Sequence, residues 1–233
     1  DLEQSNEELE QMAYAASNDL QEPFRTASSY LTLIERRKRE AMDADAMPHL
    51  DLAIDGADRM REMIQALLEY SRVDTRGQSL ERTAMQDVFE TVTQNLEVSI
   101  EESGATVDIP DSATTVEGDP SQLVQLFQNL VGNGIKYCDD DPSVDISVVR
   151  SGDGVVEYAV ADNGIGMAPD QIEGIFEVFQ RLHTNAEFDG TGIGLSICRK
   201  IVDRHDGEIR VESTPGEGST FFVTLPVTGQ NDE

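Results

Sequence analysis

The hydrophobic positions of this chain change their period twice. From residue 1 to about 40 they fall at Leu9, Ala13, Ala16, Leu20, Phe24, Ala27, Leu31 and Ile34. Steps of three and four are the spacing of one face of a packed helix. Leu2 precedes Leu9 by one heptad, which extends the stripe as a coiled-coil seam. Pro23 sits inside this helix and predicts a kink, because it removes a backbone donor and crowds the preceding turn. Met42 to Pro48 reads as a turn. A second stripe (Leu50, Ile54, Ala57, Met60, Ile64, Leu67, Leu68) predicts a helix to about Val73. Two amphipathic helices joined by a short turn form a hairpin. One hairpin leaves part of each stripe uncovered, so pairing with a second copy into a four-helix bundle is expected.

After the polar stretch Asp74-Thr75-Arg76-Gly77-Gln78 the pattern becomes mixed. Met85 to Ile100 has helical spacing. Thr106 to Ile109 and Thr114 to Glu117 read as short strands. Asp119-Pro120 caps a further helix, with proline at its first position, and Leu123, Leu126, Phe127, Leu130 and Val131 form its apolar face. Val144 to Val149 alternates, and Val155 to Ala161 does so less cleanly, around Ser151-Gly152-Asp153-Gly154; this predicts a hairpin. Glu208 to Glu212 and Thr220 to Leu225 are strands joined by Pro215-Gly216-Glu217-Gly218. The expected class is therefore α+β: a helical hairpin, then an α/β sandwich. The expected boundaries are 1–74 for the hairpin, 75–78 for a linker, 79–226 for the second domain and 227–233 for a disordered tail.

The candidate chemistry lies in three stretches of the second domain. Asn129 and Asn133 are one helical turn apart and share a face, with Lys136 and Tyr137 just beyond. Carboxamide oxygens and a lysine suit a hard cation that carries phosphates; a solvated polar face is the plainer alternative. Asp162-Asn163-Gly164-Ile165-Gly166 is a glycine cluster led by an aspartate. Gly190-Thr191-Gly192-Ile193-Gly194-Leu195 is a second one, running into the helical spacing of Ile193, Ile197, Ile201 and Val202. Glycine lets backbone approach a ligand closely, and a helix start offers free N–H groups to phosphate; a plain turn is the alternative for either cluster taken alone.

In this order, with Phe176-Glu177-Val178-Phe179 between the glycine clusters, the stretches resemble the ATP-binding domain of sensor histidine kinases, within the ATPase superfamily shared with DNA gyrase and the heat-shock chaperones. The resemblance covers nearly the whole chain. It implies that Asp162 hydrogen-bonds the adenine amino group, Asn133 holds Mg²⁺, and Lys136 and Arg181 face phosphate. Asn129, Tyr137, Gly164, Gly166, Gly190, Thr191, Gly192, Gly194 and Leu195 complete the implied nucleotide site, and Gln180 to Asp189 is the implied lid. It further implies ATP and Mg²⁺ as cofactors and a homodimer built on the hairpin. The implied partners are a response-regulator receiver domain and an upstream sensor domain, and the implied location is cytoplasmic.

The same resemblance exposes a departure. Ala15 to Pro23 is similar to the phosphoacceptor box, in which a histidine is followed at once by an acidic residue and five places on by proline. Asp19 and Pro23 are in place, but the acceptor position is Asn18. At ~100° per residue Asn18 points about 200° away from Ala16 and Leu20, onto the open face. Its amide lone pair is delocalised, so it is no nucleophile, and an exposed polar helix residue is its plain role. His49, His183 and His205 lack the acidic-then-proline context. His205, before Asp206-Gly207 at a helix end, sits where a partly charged imidazole is favoured. Glu22 stands where relatives with phosphatase activity often carry threonine or asparagine, and Gly134 where alanine is usual.

Charge changes the picture once more. Acidic residues number 46 against 17 basic ones, a net charge of −29. This argues against nucleic-acid binding, which draws on basic patches. It resembles proteins of salt-loving microbes, with an ordinary acidic cytosolic protein as the alternative. Cys138 and Cys198 lack metal-ligand spacing and are expected in the core. No apolar run approaches the ~18 residues of a bilayer span, and no signal peptide is evident. The chain starts without methionine and is expected to be the C-terminal part of a longer protein. The functional expectation is a histidine kinase core that is deficient in autophosphorylation because Asn18 replaces the acceptor. The alternatives are a pseudokinase that signals as a nucleotide-binding dimer, and an ATPase of the chaperone or gyrase kind, against which the helical hairpin argues.

Overall fold

The computed structural model describes residues 23, 25–34, 47–75, 77–111, 113–180 and 191–227. Residues 15–22 of the expected phosphoacceptor box, the coiled-coil seam and residues 228–233 of the expected tail lie outside the described residues, as do the immediate neighbours of Pro23 where a kink is expected. Val227, expected as the first residue of a disordered tail, is instead fixed: its N–H donates to Gly154 O at 2.9 Å and it bridges Val116. The chain divides into two compact units, Asp1–Arg72 and Val73–Glu233.

In the first unit α1 (residues 25–34) and α2 (Met47–Thr75) are the described helices; the last turn of α2 belongs to the second unit. The Ser28 hydroxyl donates to Asp58 Oδ1 at 2.8 Å and ties the two helices together. Leu50, Ala57, Ile64 and Leu68 are buried, as their spacing predicts. Met60, placed on the same face by the sequence pattern, is exposed, and so are Leu52 and Met63. At 3.6 residues per turn the apolar positions of α2 drift around its axis, so a single partner helix cannot cover them all.

The second unit is a mixed five-stranded sheet with helices packed on one face. The strands are β2 (Thr106–Asp108), β4 (Ser143–Gly152), β5 (Val155–Asp162), β6 (Glu208–Thr214) and β7 (Gly218–Pro226). Their order is β2-β4-β5-β7-β6, with β2 and β4 parallel and the other pairs antiparallel. Asp153 and Gly154 both have positive φ in the β4–β5 turn, which suits an Asp-Gly hairpin. A separate pair, β1 (Glu81–Ala84) with β3 (Thr115–Gly118), lies antiparallel. The region expected as one helix from Met85 is two, α3 (Met85–Asn95) and α4 (Glu97–Ser103), broken at Leu96 with ψ near 3°. α5 (Pro120–Lys136) and α7 (Gly194–Arg204) cross the sheet, and α6 (Pro169–Ile172) is one short turn.

Every apolar position named for α5 is buried: Leu123, Leu126, Phe127, Leu130 and Val131. They meet Val144, Ile146, Val156, Tyr158 and Val160 of the sheet's inner face, all buried as well. Phe89, Phe127 and Tyr158 pack edge to face with centroids 4.9, 5.3 and 5.9 Å apart. Each such pair adds about 0.5–1.5 kcal/mol beyond area burial. The outer face of the sheet is polar; there Arg210 covers Phe222 at 3.6 Å and pairs with Glu157.

Candidate nucleotide site

The site lies where α5 ends, β5 ends and α7 begins. Strand register sets its centre: Asp162 closes β5, opposite Val144 of β4 and Ser219 of β7. Its Oδ1 accepts the N–H of Gly164 at 2.9 Å and of Ser219 at 3.1 Å. No described residue donates to the second oxygen. Burial pushes the Asp162 carboxyl above its ordinary pKa, and the two N–H donors work against that rise.

The loop after Asp162 is fixed to the end of α5. Ile165 N–H donates to Tyr137 O at 2.9 Å. A Cβ at Gly164 would lie 2.5 Å from that same carbonyl, so glycine is required by close approach. Gly166 has φ +65°, and a Cβ there would meet Thr214 O. The turn between β6 and β7 forms the wall behind: Gly216 N–H donates to Ile165 O, and Ser213 Oγ receives the Met167 N–H at 2.8 Å. Ser213 and Ser219 also share a hydroxyl hydrogen bond of 2.9 Å. These two serines escape sequence reasoning, because the β5–β7 register brings Ser219 to Asp162 and the β6–β7 register sets Ser213 beside Ser219.

The second glycine cluster meets the asparagine helix. Asn129 Nδ2 donates to Gly194 O at 3.4 Å, and a Cβ at Gly194 would touch the Asn129 carboxamide carbon at 3.9 Å. Gly194 begins α7, so the first N–H groups of that helix open beside Asn129. Thr191 Oγ1 accepts from Ile193 N–H at 3.4 Å, and Gly192 has φ +72°. Phe179, at φ +68°, donates its N–H to Gly192 O at 3.0 Å. Arg199 of α7 lies over the Phe176 ring at 4.8 Å.

Asn133, Lys136, Tyr137 and Leu195 are half-buried, and Lys136 Nζ lies 5.1 Å from the Tyr137 ring centre. The structure thus joins Asn129 to Gly194, Tyr137 to Gly164 and Ile165, and Phe179 to Gly192. Asn18, Asp19, Arg181, Gly190 and the expected lid from residue 181 onward are outside the described residues.

Two expectations are corrected. Cys138 is not a core residue. It is half-exposed, its Sγ near Asp140 O (3.2 Å) and Asn163 Oδ1 (3.4 Å), because α5 ends two residues before it; Cys198 is buried as expected. His205 does not hold a partly charged ring at an open helix end. It is 1% exposed, and burial lowers its pKa. Its Nε2 accepts the Asp119 N–H at 2.9 Å, and Nδ1 faces Ile201 O at 2.7 Å.

Residues 118–229 match the family described as histidine kinase-, DNA gyrase B- and HSP90-like ATPase. Within that family the domain is of the histidine-kinase type. The chain is 47% identical over 227 residues to the phytochrome-like protein Cph1 of Synechocystis, covering 97% of this chain and 30% of that protein. It is 33% identical to the adaptive-response sensory kinase SasA of Synechococcus elongatus, covering 97% and 61%. The full-length structure of ShkA in complex with AMPPNP has a similar fold, at TM-score 0.69 and 22% identity over 94% of this chain and 46% of that one. The chain therefore spans about a third of the phytochrome-like relative. Among the described residues no helix is long and apolar enough to cross a membrane.

Proposed function

We propose that this chain is the core of a sensor histidine kinase. It binds ATP with Mg²⁺, dimerises through its helical hairpin and lacks a usable phosphoacceptor at Asn18. The observation that bears most of the weight is Asp162. One of its oxygens is fully engaged by two backbone N–H groups, while the other has no donor among the described residues. A half-buried acceptor held at that angle suits an exocyclic amine such as that of adenine. The amides at the start of α7 and the glycine loop before it suit the phosphates. Asn133 bonds to no described residue through its carboxamide, so its oxygen suits a hard cation that keeps most ligands as water and phosphate oxygen. Mg²⁺ would supply charge neutralisation at the phosphates. Lys136 and Arg181 are assigned to phosphate, and Asn129 holds the α7 loop in place.

On the hairpin, Tyr30, Leu33, Ile34, Leu52 and Met63 are exposed, which supports pairing with a second copy in a four-helix bundle. Asp19 is assigned the orienting role beside an acceptor that Asn18 cannot fill. The relatives named as sensory kinases support a receiver-domain partner, and those named as phytochromes support an upstream sensor module. The Asn18 amide also favours a second reading, a nucleotide-binding dimer that signals without phosphoryl transfer. Both share the ATP site, which calorimetry tests. Asp162→Ala should weaken ATP binding by about 1–3 kcal/mol, the cost of orphaning a buried polar partner. Unchanged affinity in a folded variant would remove Asp162 from the adenine role.

A further inference from the structure

The end of α2 and the polar residues after it are fastened at several points to the rest of the second unit. The carbonyl of Val73 accepts from Gln122 Nε2 at 2.7 Å. Asp74 pairs with Lys200 at 3.0 Å. The Gln78 N–H donates to Asp119 Oδ2 at 2.6 Å, and its carbonyl accepts from an Arg204 terminal nitrogen at 2.6 Å. The other terminal nitrogen of Arg204 donates to Gln122 Oε1 at 2.6 Å and lies 3.5 Å from Asp119 Oδ2.

Arg204 ends α7, the helix that the second glycine cluster begins, and Asp119 caps α5, the helix that bears the asparagines. The Asp119 side chain is fully buried and the Arg204 side chain 18% exposed. A Cβ at Gly77 would overlap the guanidinium. A buried ion pair is weak support for stability, because desolvation offsets the attraction. Its geometry here is spent on a short connecting segment.

We infer that Arg204 is a positioning residue: with Asp119 it clamps Val73–Gln78 to the catalytic unit and so sets the reach of that unit toward the acceptor helix. The inference rests on the histidine-kinase reading for its consequence, but not for the clamp itself. A fastened tether keeps the effective concentration of the bound nucleotide at the hairpin high. Releasing about six residues lengthens the tether and lowers that concentration. ATP binding itself is untouched, since neither Arg204 nor Gly77 belongs to the nucleotide site. Phosphoryl transfer slows because its geometry is held less often.

The experiment uses the full chain in the Asn18→His background, with Arg204→Ala and Gly77→Ala as separate variants. Gly77→Ala expels the guanidinium while leaving Arg204 in the sequence. Hydrogen exchange at residues 74–80, ATP affinity and the labelling rate from γ-labelled ATP are read on each. The clamp predicts amide exchange faster by about tenfold at Gln78 in both variants, with exchange in α5 and β5 unchanged. It predicts KM for ATP within about twofold of the parent and a labelling kcat lower by about tenfold. Unchanged exchange at 74–80 overturns the clamp. Faster exchange with an unchanged labelling rate overturns the positioning role. A rise in KM with exchange rising throughout the unit shows Arg204 to be structural only and overturns it too. If Asn18→His alone binds ATP without labelling, the kinase assignment and the positioning role fall together. The clamp is then decided by exchange at Gln78.

Discussion

Gly134 shows how a single residue records its neighbours. It sits inside α5, where glycine costs about 1 kcal/mol relative to alanine, so the sequence alone makes it a liability. A methyl group there would lie 2.7 Å from Val144 Cγ2 and 3.0 Å from Asp162 Cβ. The space that alanine normally fills is occupied by Val144, beside Asp162. Gly134→Ala should therefore destabilise the chain by about 1–2 kcal/mol, overpacking outweighing the helix-propensity gain. In a Val144→Ala background the same change should be neutral or stabilising. Denaturant unfolding of the four combinations checks this as a double-mutant cycle; equal costs in both backgrounds would show that Gly134 and Val144 are uncoupled. Asp162 carries the same lesson for the site. The four motifs were legible because each is local. Its supports, Ser213 and Ser219, were not, because the pairing of β5 with β7 and β7 with β6 brings them in from over 50 residues away.

At the scale of elements, α5 and α7 are locked together at their outer ends by His205 and Asp119. Burial lowers the His205 pKa below its ordinary 6.5, with the Ile201 carbonyl opposing and the Arg204 charge assisting. The unfolded chain then takes up a proton first as pH falls through about 6.5. The stability contributed by the neutral ring is present above that value and is lost on acidification toward the lower folded pKa. Asp119 acts further down. Burial opposes its charge, but hydrogen bonds from Ser121, Gln78 and Gln122 outweigh that and keep its pKa below 3.8. The melting temperature should therefore fall between about pH 7.5 and pH 5.5, and His205→Gln should flatten that slope. An equal slope in both proteins would assign it elsewhere. The helix α5 was legible because its apolar spacing is regular over 17 residues. β1 and α6 were not, since Glu81-Arg82-Thr83-Ala84 and Pro169-Asp170-Gln171-Ile172 carry one apolar side chain each at their ends and so show no period. The break between α3 and α4 was hidden as well: Leu96 is neither glycine nor proline, and the apolar spacing continues past it.

At the scale of the molecule, charge and assembly dominate. With 46 acidic and 17 basic residues the folded chain repels itself, and at 1 M salt the Debye length is only ~3 Å. The melting temperature should rise from low to molar salt, and light scattering of the same samples should give the mass of a dimer, because apolar residues of the hairpin are exposed in a single chain. A flat or falling melting temperature would count against the salt-adapted surface, and a monomer at micromolar concentration against the bundle. Phosphoryl transfer needs both units at once: a site that holds ATP and a helix that offers a nucleophile. The most direct test is γ-labelled ATP supplied to the chain as it stands and to Asn18→His, followed by acid and base treatment. The surface position should accept the ring within about ±0.5 kcal/mol. The asparagine form should take up no label, and the histidine form an acid-labile, base-stable one. Equal labelling of the two forms would contradict this, placing the acceptor elsewhere in the chain.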